Sequence, residues 1–469
     1  MDANEQAEAI LSDLYNDWFH EGTKKELIKK ALISILGQDE LSKQVEHVSE
    51  CFEAFWRDYS NDHLATVLKN FPKVEFALYG LLREGSGRYR DHYIHMFNNF
   101  IFGGQLLSKI IAKCDTPTLE NLLKVQPEPG TIPNKFTPYS AEKRMFFIWT
   151  LITNFHDVAI PIQHFQEIIN GLNKYLKHFG FKITDYNLKK DTSLELNIQK
   201  YFKNIARIFS NGVKPKDGIY EQDGQLNPYF YKALCEAYEK SDHGVLASIS
   251  LFKNIEDTFF HRSDRYKLDL NEFPSYYDFI LTQDIARAAL DIALHNFKKK
   301  DYGQFFPFQF TMFPLAFLLV LCDEIQEFMR PEGLSYQTIT KFKTWPSVYV
   351  DIINTKIDVS IEINIKNNSL TEQEIIIVLK QLIDYFEKNK RGIPFITTED
   401  DEKDLKEATT NNNKEKGKII LNKYFEWYWS ERNNIITEKL RFSSDDPICL
   451  HLKIISGSLD DSKIYNHGC

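Results

Sequence analysis

Twice in this chain an aspartate follows directly on a largely apolar run. Asp157 ends Trp149-Thr150-Leu151-Ile152-Thr153-Asn154-Phe155-His156-Asp157, and Asp323 follows Leu318-Leu319-Val320-Leu321-Cys322. A carboxylate taken out of water is costly unless a cation or hydrogen bonds compensate it, so any fold of this sequence must bring a partner to both. At Asp157 the backbone narrows the choice. Pro161 lies four residues on and cannot supply the helical N–H for the Asp157 carbonyl, so the helix is expected to end near Ile160, with His156 and Asp157 in its last turn. That end of a helix is partially negative and favours a cation. Adjacent helical residues point about 100° apart, so the two do not simply pair with each other. A metal ion between them satisfies both an imidazole nitrogen and a carboxylate oxygen.

The surrounding pattern is mainly α. Apolar residues recur at helical spacing from Ala7 to about Phe71, and further helices are expected near 89–112, 141–160, 162–178, 194–209, 228–240, 244–258, 282–298 and 314–329. Proline-rich and glycine-rich loops at 115–138 and 210–228 separate them. After about residue 345 the period changes to two in Val348–Ile353 and Ile357–Ile365, which predicts paired strands. A helix near 371–389, a mobile loop over 397–418, a helix near 418–432 and strands near 435–442 and 448–455 complete a small α+β appendage. The expected organisation is a helical domain over 1–340, with N-terminal helices 1–80 packed on it, and an α+β regulatory or oligomerisation region over 345–469.

Four more segments carry groups that could complete a metal site. His92 and His95 stand one turn apart at the start of the 89–112 helix. Ser241-Asp242-His243-Gly244 offers N-cap residues before an apolar helix. His295 closes the small-residue helix Ala288-Ala289-Leu290-Asp291-Ile292-Ala293-Leu294, and Asp323 follows its apolar run.

The order His95, His156-Asp157, His243, His295, Asp323 resembles the signature of the HD-domain superfamily of metal-dependent phosphohydrolases, over about residues 85–330. The resemblance implies a multi-helix bundle in which His95, His156, Asp157 and Asp323 hold one metal, with His92 as the alternative first ligand. His243 and His295 match the histidines of members that hold a second ion, with Asp157 bridging and with Asp157, His243 and His295 at the reacting centre. Mixed imidazole and carboxylate donors suit manganese, iron, zinc, nickel or cobalt, with magnesium a further candidate. The implied reaction is hydrolysis of a phosphoester or phosphoanhydride by metal-activated water.

For the substrate, Arg88, Arg90, Arg262 and Arg265 flank the ligand segments and could neutralise a polyphosphate; ordinary surface arginines are the other reading. The leading expectation is a (deoxy)nucleoside triphosphate hydrolase, a dNTPase. A two-metal cyclic-nucleotide or oligonucleotide phosphodiesterase or nuclease, a metal-stabilised sensor or assembly module, and a di-iron oxygenase are the alternatives. A net charge of −9 gives no extended nucleic-acid surface, and a homo-oligomer is expected from the appendage. The six cysteines show no CxxC pair, so neither a zinc ribbon nor a disulfide framework is expected and a cytoplasmic setting is the natural reading. The apolar run between Phe305 and Cys322 is broken by Pro307 and Pro314 and reads as a buried helix rather than a membrane span.

Overall fold

The computed structural model describes residues 2–57, 62–82, 92–114, 140–180, 182–184, 198–199, 201–203, 205–206, 227–260, 276–296, 308–310, 313–328, 334, 338, 345–353, 356–365, 371–388, 392–411, 413–442, 448–456 and 462–468. They form a mainly α protein with a small C-terminal α+β part, as the periodicity predicts. The chain divides into two compact units, Met1–Leu78 with His92–Val320, and Tyr79–Asp91 with Leu321–Cys469.

In the first unit, α1 (Ala3–Ser12), α2 (Asn16–Phe19), α3 (Lys24–Leu36), α4 (Leu41–Arg57) and the start of α5 (Asp62–Leu82) precede α6 (His92–Lys113). Helices α7 (Ala141–Phe155), α8 (Ile160–Gln163), α9 (Phe165–Lys177), α10 (Pro228–Glu239), α11 (His243–Phe260) and α12 (Tyr276–His295) follow, and α13 (Pro314–Phe328) crosses the division. Almost every residue of α6 is buried, and α7 is buried from Met145 to its end. Such helices are apolar all round because they form the core itself. The N-terminal helices cover them with aromatic rings: Phe19 lies 5.2 Å from Phe100 and 5.3 Å from Phe146, and Phe55 lies 5.0 Å from Phe100. Trp18 Nε1 donates to Thr150 Oγ1 at 3.0 Å, which settles the indole polar atom inside that core.

Gly103 sets how closely α6 and α7 approach, since a Cβ there would fall 1.9 Å from Trp149 Cζ2. The indole is held in place by its own bond to the Phe100 carbonyl at 3.1 Å. Helix α12 meets α7 through a two-pronged Arg144–Asp284 pair at 2.7 and 3.0 Å, and its Ala286, Ala288, Ala289 and Ala293 are all buried. These contacts hold α6 and α12 against α7.

The second unit contains a four-stranded sheet of β1 (Ser347–Ile353), β2 (Lys356–Ile365), β3 (Ile448–Ser456) and β4 (Ser462–His467) in that order. Strands β1 and β2 are antiparallel, β2 and β3 parallel, and β3 and β4 antiparallel. The parallel pair requires a long crossover, which α14 (Glu372–Lys388), α15 (Glu399–Thr410) and α16 (Lys414–Lys439) supply. Ile357, Val359, Ile361 and Ile363 of β2 and Ile448, Leu450, Leu452 and Ile454 of β3 are buried on one face, so polar residues occupy the other.

Three expectations are corrected. The segment 397–418 is not a loop: α15 occupies much of it, because Thr398 and Asp401 form a reciprocal capping box and four acidic residues fill the positive first turn. Residues 435–439 are helical rather than extended, because Ile436 continues the buried stripe of Tyr424, Phe425, Tyr428 and Trp429 on α16; this burial outweighs the β-branched run that suggested a strand. Cys449 is disulfide-bonded, whereas Cys51, Cys114, Cys235 and Cys322 are free; spacing along the chain does not report which thiols the fold brings together. Among the described residues one helical stretch, Ala141–Gln163, is long and apolar enough to cross a membrane, and 89% of its window is buried within the protein.

Replacing Gly103 with alanine is expected to destabilise the fold by about 1–3 kcal/mol through overpacking against Trp149, seen as a lower denaturation midpoint with an unchanged m-value. The bonds from the Lys423 ammonium and from Thr397 and Thr398 hold the Asp401 carboxyl well below its ordinary range. Its contribution is therefore complete above the unfolded pKa of about 4 and is lost as pH falls through the depressed folded value. Asp401→Asn should be less stable than the parent at pH 7, with the gap narrowing on acidification below about pH 4 in denaturant titrations.

Candidate metal centre

Helix α7 ends before the expected Ile160, and Pro161 stands instead in the first turn of α8, so Asp157 lies in the turn between the two helices rather than in the last turn of α7. Phe155 is its last residue, His156 caps it with an N–H to the Ile152 carbonyl at 3.0 Å, and the Asp157 carbonyl takes the Ile160 N–H at 3.0 Å. This turn places His156 and Asp157, 0% and 6% exposed, at the inner end of the helix. Helix α11 begins beside them. Asp242 accepts the Val245 N–H at 3.1 Å as N-cap, so His243 starts the first turn. His295, the last residue of α12, comes close because the next residue after His243 is glycine: a Cβ on Gly244 would lie 2.9 Å from the Ile292 carbonyl and 3.1 Å from His295 Cε1. His95, 3% exposed, arrives from the first turn of α6, with its ring centroid 5.8 Å from that of His156.

Five of the expected ligands therefore meet. Donor atoms of His95, His156 and Asp157 lie within 4.8 Å of one another, and so do those of Asp157, His243 and His295. Asp157 belongs to both sets. Its Oδ2 is 3.4 Å from His156 Nε2, and its Oδ1 is 3.5 Å from His243 Nε2 and 3.8 Å from His295 Nε2. The two last imidazoles face each other, with Nε2 atoms 3.2 Å apart.

Hydrogen bonds on the far side of three rings decide what these nitrogens can do. His156 Nδ1 lies 2.9 Å from the Thr153 carbonyl and His295 Nδ1 lies 2.5 Å from the Ile292 carbonyl. His243 Nδ1 lies 2.7 Å from Gln163 Oε1, which also accepts the His243 backbone N–H at 2.9 Å. A carbonyl oxygen only accepts, so Nδ1 of His156 and of His295 carries the proton. His243 Nδ1 also meets the Asn296 amide nitrogen at 3.2 Å, and the shorter contact to Gln163 Oε1 favours the same tautomer, so each neutral ring turns its Nε2 lone pair toward Asp157. Three lone pairs and a carboxylate then converge in a buried volume, an arrangement that repels itself unless a cation stands among them. Imidazoles oriented by oxygen acceptors in this way suit a transition metal.

Electrostatics favour the same state. Burial and then the neighbouring His295 push the His243 pKa down to about 3, so its imidazole is neutral and able to ligate at ordinary pH. Burial acts to raise the Asp157 pKa, but the His156 charge, the His295 hydrogen bond and the His243 charge outweigh it and hold the carboxyl well below its usual range. That ionisation draws on protons carried by the surrounding rings; a divalent ion would take over their role and leave a carboxylate among neutral imidazoles.

His92 is not in either set: its Nδ1 lies 2.7 Å from Glu75 Oε1, which also accepts its backbone N–H at 2.9 Å. Asp323 lies in the second unit, half-buried on α13. Its charge and that of Glu324 act on the ammonium of Lys439; burial opposes that charge, but the two carboxylates raise the lysine pKa. Arg88, Arg90, Arg262 and Arg265 are outside the described residues. Sequence reasoning missed Glu75 and Gln163. Glu75 carried a usable signal, because Val74-Glu75-Phe76 sets a carboxylate in an apolar helix as Asp157 is set in its own; it is 1% exposed. Gln163 carried none, since its role depends on the chain reversal after α8.

Comparison with known protein families, with curated proteins and with solved structures finds no match to this chain.

Gln163→Ala removes the acceptor that fixes the His243 tautomer. It is expected to weaken metal affinity by about 10–100-fold at unchanged helix content, as measured by competition with a chromogenic chelator.

Proposed function

We propose that this protein is an HD-type metal-dependent phosphohydrolase acting on nucleotides, with (deoxy)nucleoside triphosphates as its first substrate class. The observation that carries the reading is the convergence of His156, His243 and His295 lone pairs on the shared, ionised Asp157. His95, His156 and Asp157 would hold one ion and Asp157, His243 and His295 a second; Asp323 enters on the resemblance alone. A divalent transition metal such as manganese supplies water activated near neutral pH and polarises a phosphoryl oxygen.

The chain's own residues add proton handling. Glu75 takes the Nδ1–H of His92, which leaves Nε2 as the nitrogen that exchanges a proton. His92 belongs to neither ligand set, although its charge acts on both Asp157 and His243. In this reading His92 gives a proton to the departing oxygen and Glu75 stabilises the charged ring. Arg88, Arg90, Arg262 and Arg265 remain the proposed phosphate contacts.

The sharing of Asp157 by two triads favours a second reading, a two-metal diesterase for cyclic nucleotides or short oligonucleotides, since paired ions stabilise both the attacking and the leaving oxygen. A Mn²⁺-supplemented screen over nucleoside triphosphates, cyclic nucleotides and short single-stranded DNA separates the two. Turnover of one class is expected, and His92→Ala should lower it by about 10²–10⁴-fold while metal content stays that of the parent. Loss of metal in that variant would make His92 a ligand. A metal-loaded protein inert toward every class would refute the hydrolase reading, and oxygen consumption by the iron form would replace it with an oxygenase.

A further inference from the structure

A second group of three ligand types shares a small volume, on the polar face of the sheet. Asp358 of β2 and Cys449 and His451 of β3 each offer a donor atom, all within 4.8 Å of one another. Strand register brings them together. Asp358 is the parallel partner of Cys449, and Cys449 and His451 are two residues apart on β3, so all three side chains leave the same face. Cys449 Sγ lies 3.2 Å from His451 Nε2, which lies 3.2 Å from Asp358 Oδ2.

Asn466 of β4, the antiparallel partner of His451, lies with its Oδ1 2.7 Å from His451 Nδ1. The amide oxygen accepts, so Nδ1 carries a proton and Nε2 faces a carboxylate oxygen and a sulfur. A proton on Nε2 answers the carboxylate, as an ion pair, and gives the sulfur only a weak acceptor contact. Asp351 of β1, directly opposite Asp358, adds a second negative charge to the same face, and like charges in opposed positions repel. The face therefore favours a cation with more than one bond to make. Donors around a tetrahedral zinc ion are about 3.4–3.6 Å apart, so the observed separations fit once they open by about a few tenths of an ångström.

Cys449 is disulfide-bonded. A disulfide sulfur is a poor metal ligand and a thiolate a strong one. We infer that reduction of the Cys449 disulfide converts this face of the sheet into a metal site of one thiolate, one imidazole and one carboxylate, taking zinc or a similar divalent ion with its fourth position open. The step balances. A dithiol reductant passes two electrons and two protons to the S–S bond and becomes a disulfide, two thiols remain on the protein, and the incoming metal displaces the Cys449 thiol proton to solvent. The disulfide is thus a gate on metal binding. The inference is independent of the hydrolase reading, because its ligands are different residues in the second unit.

The two sites also differ in signature, since the His/Asp centre holds no sulfur. The test uses full-length protein, reduced with a dithiol that is then removed without air, and titrated with Co²⁺. A thiolate-to-cobalt charge-transfer band is expected in the reduced protein and not in the oxidised one, and Zn²⁺ should bleach it. Cys449→Ser should abolish the band, and His451→Gln, which leaves the cysteine chemistry in place, should weaken Co²⁺ binding at this band by about tenfold or more. No band in the reduced parent, a band that survives Cys449→Ser, or unchanged affinity in His451→Gln would overturn the inference. The His451→Gln titration decides it even where Cys449→Ser fails to fold.

Discussion

The organisation of the helical unit depends on the ionised Asp157 carboxylate held in an apolar interior with the Nε2 atoms of three imidazoles facing it. His156, His243 and His295 each commit their Nδ1–H to an oxygen elsewhere, so their inward atoms are acceptors, like the carboxylate they face. In the absence of a cation this is a conflict; with one it is a preformed ligand set. Such a local conflict inside an otherwise well-packed core is what makes this cluster the candidate site.

The rest of the unit supplies the precision this requires. The ligands stand at helix ends: His156 and His295 at the C-terminal ends of α7 and α12, His243 and His95 in the first turns of α11 and α6. A helix end delivers a side chain to a defined point, provided that the helices cannot slide past one another. Gly103 beneath Trp149, the Arg144–Asp284 pair and Gly244 beside His295 oppose that sliding. The same logic, with strand register in place of helix ends, groups Asp358, Cys449 and His451 on the sheet.

Much of this was legible in the sequence. Both apolar-run aspartates demand partners, and the order of histidine-bearing segments names five residues that do meet; Pro161 marked a break in the helix, but α7 stops at Phe155, ahead of the expected Ile160. What the sequence concealed has physical reasons. Gln163 acts only through a chain reversal, and the split in role between His92 and His95 depends on Glu75, seventeen positions before His92 and on another helix. The acidic stretch near 400 suggested a loop by composition, although the Thr398–Asp401 spacing specifies a helix start. Ile435-Ile436-Thr437 suggested a strand by propensity, and burial of Ile436 on a helical stripe decided otherwise. The Cys449 disulfide is a matter of tertiary proximity, to which local pattern is blind.

The most direct measurement is the metal content of the purified full-length protein and of its Asp157→Ala variant, by elemental analysis after exchange into metal-free buffer. The account predicts one or two equivalents of a divalent transition metal in the parent and loss of that metal in a variant that keeps the parent's helix content, because the shared carboxylate has no neutral substitute. Full occupancy in Asp157→Ala, or a folded parent that neither carries nor takes up Mn²⁺, Fe²⁺, Zn²⁺, Ni²⁺ or Co²⁺, would contradict it.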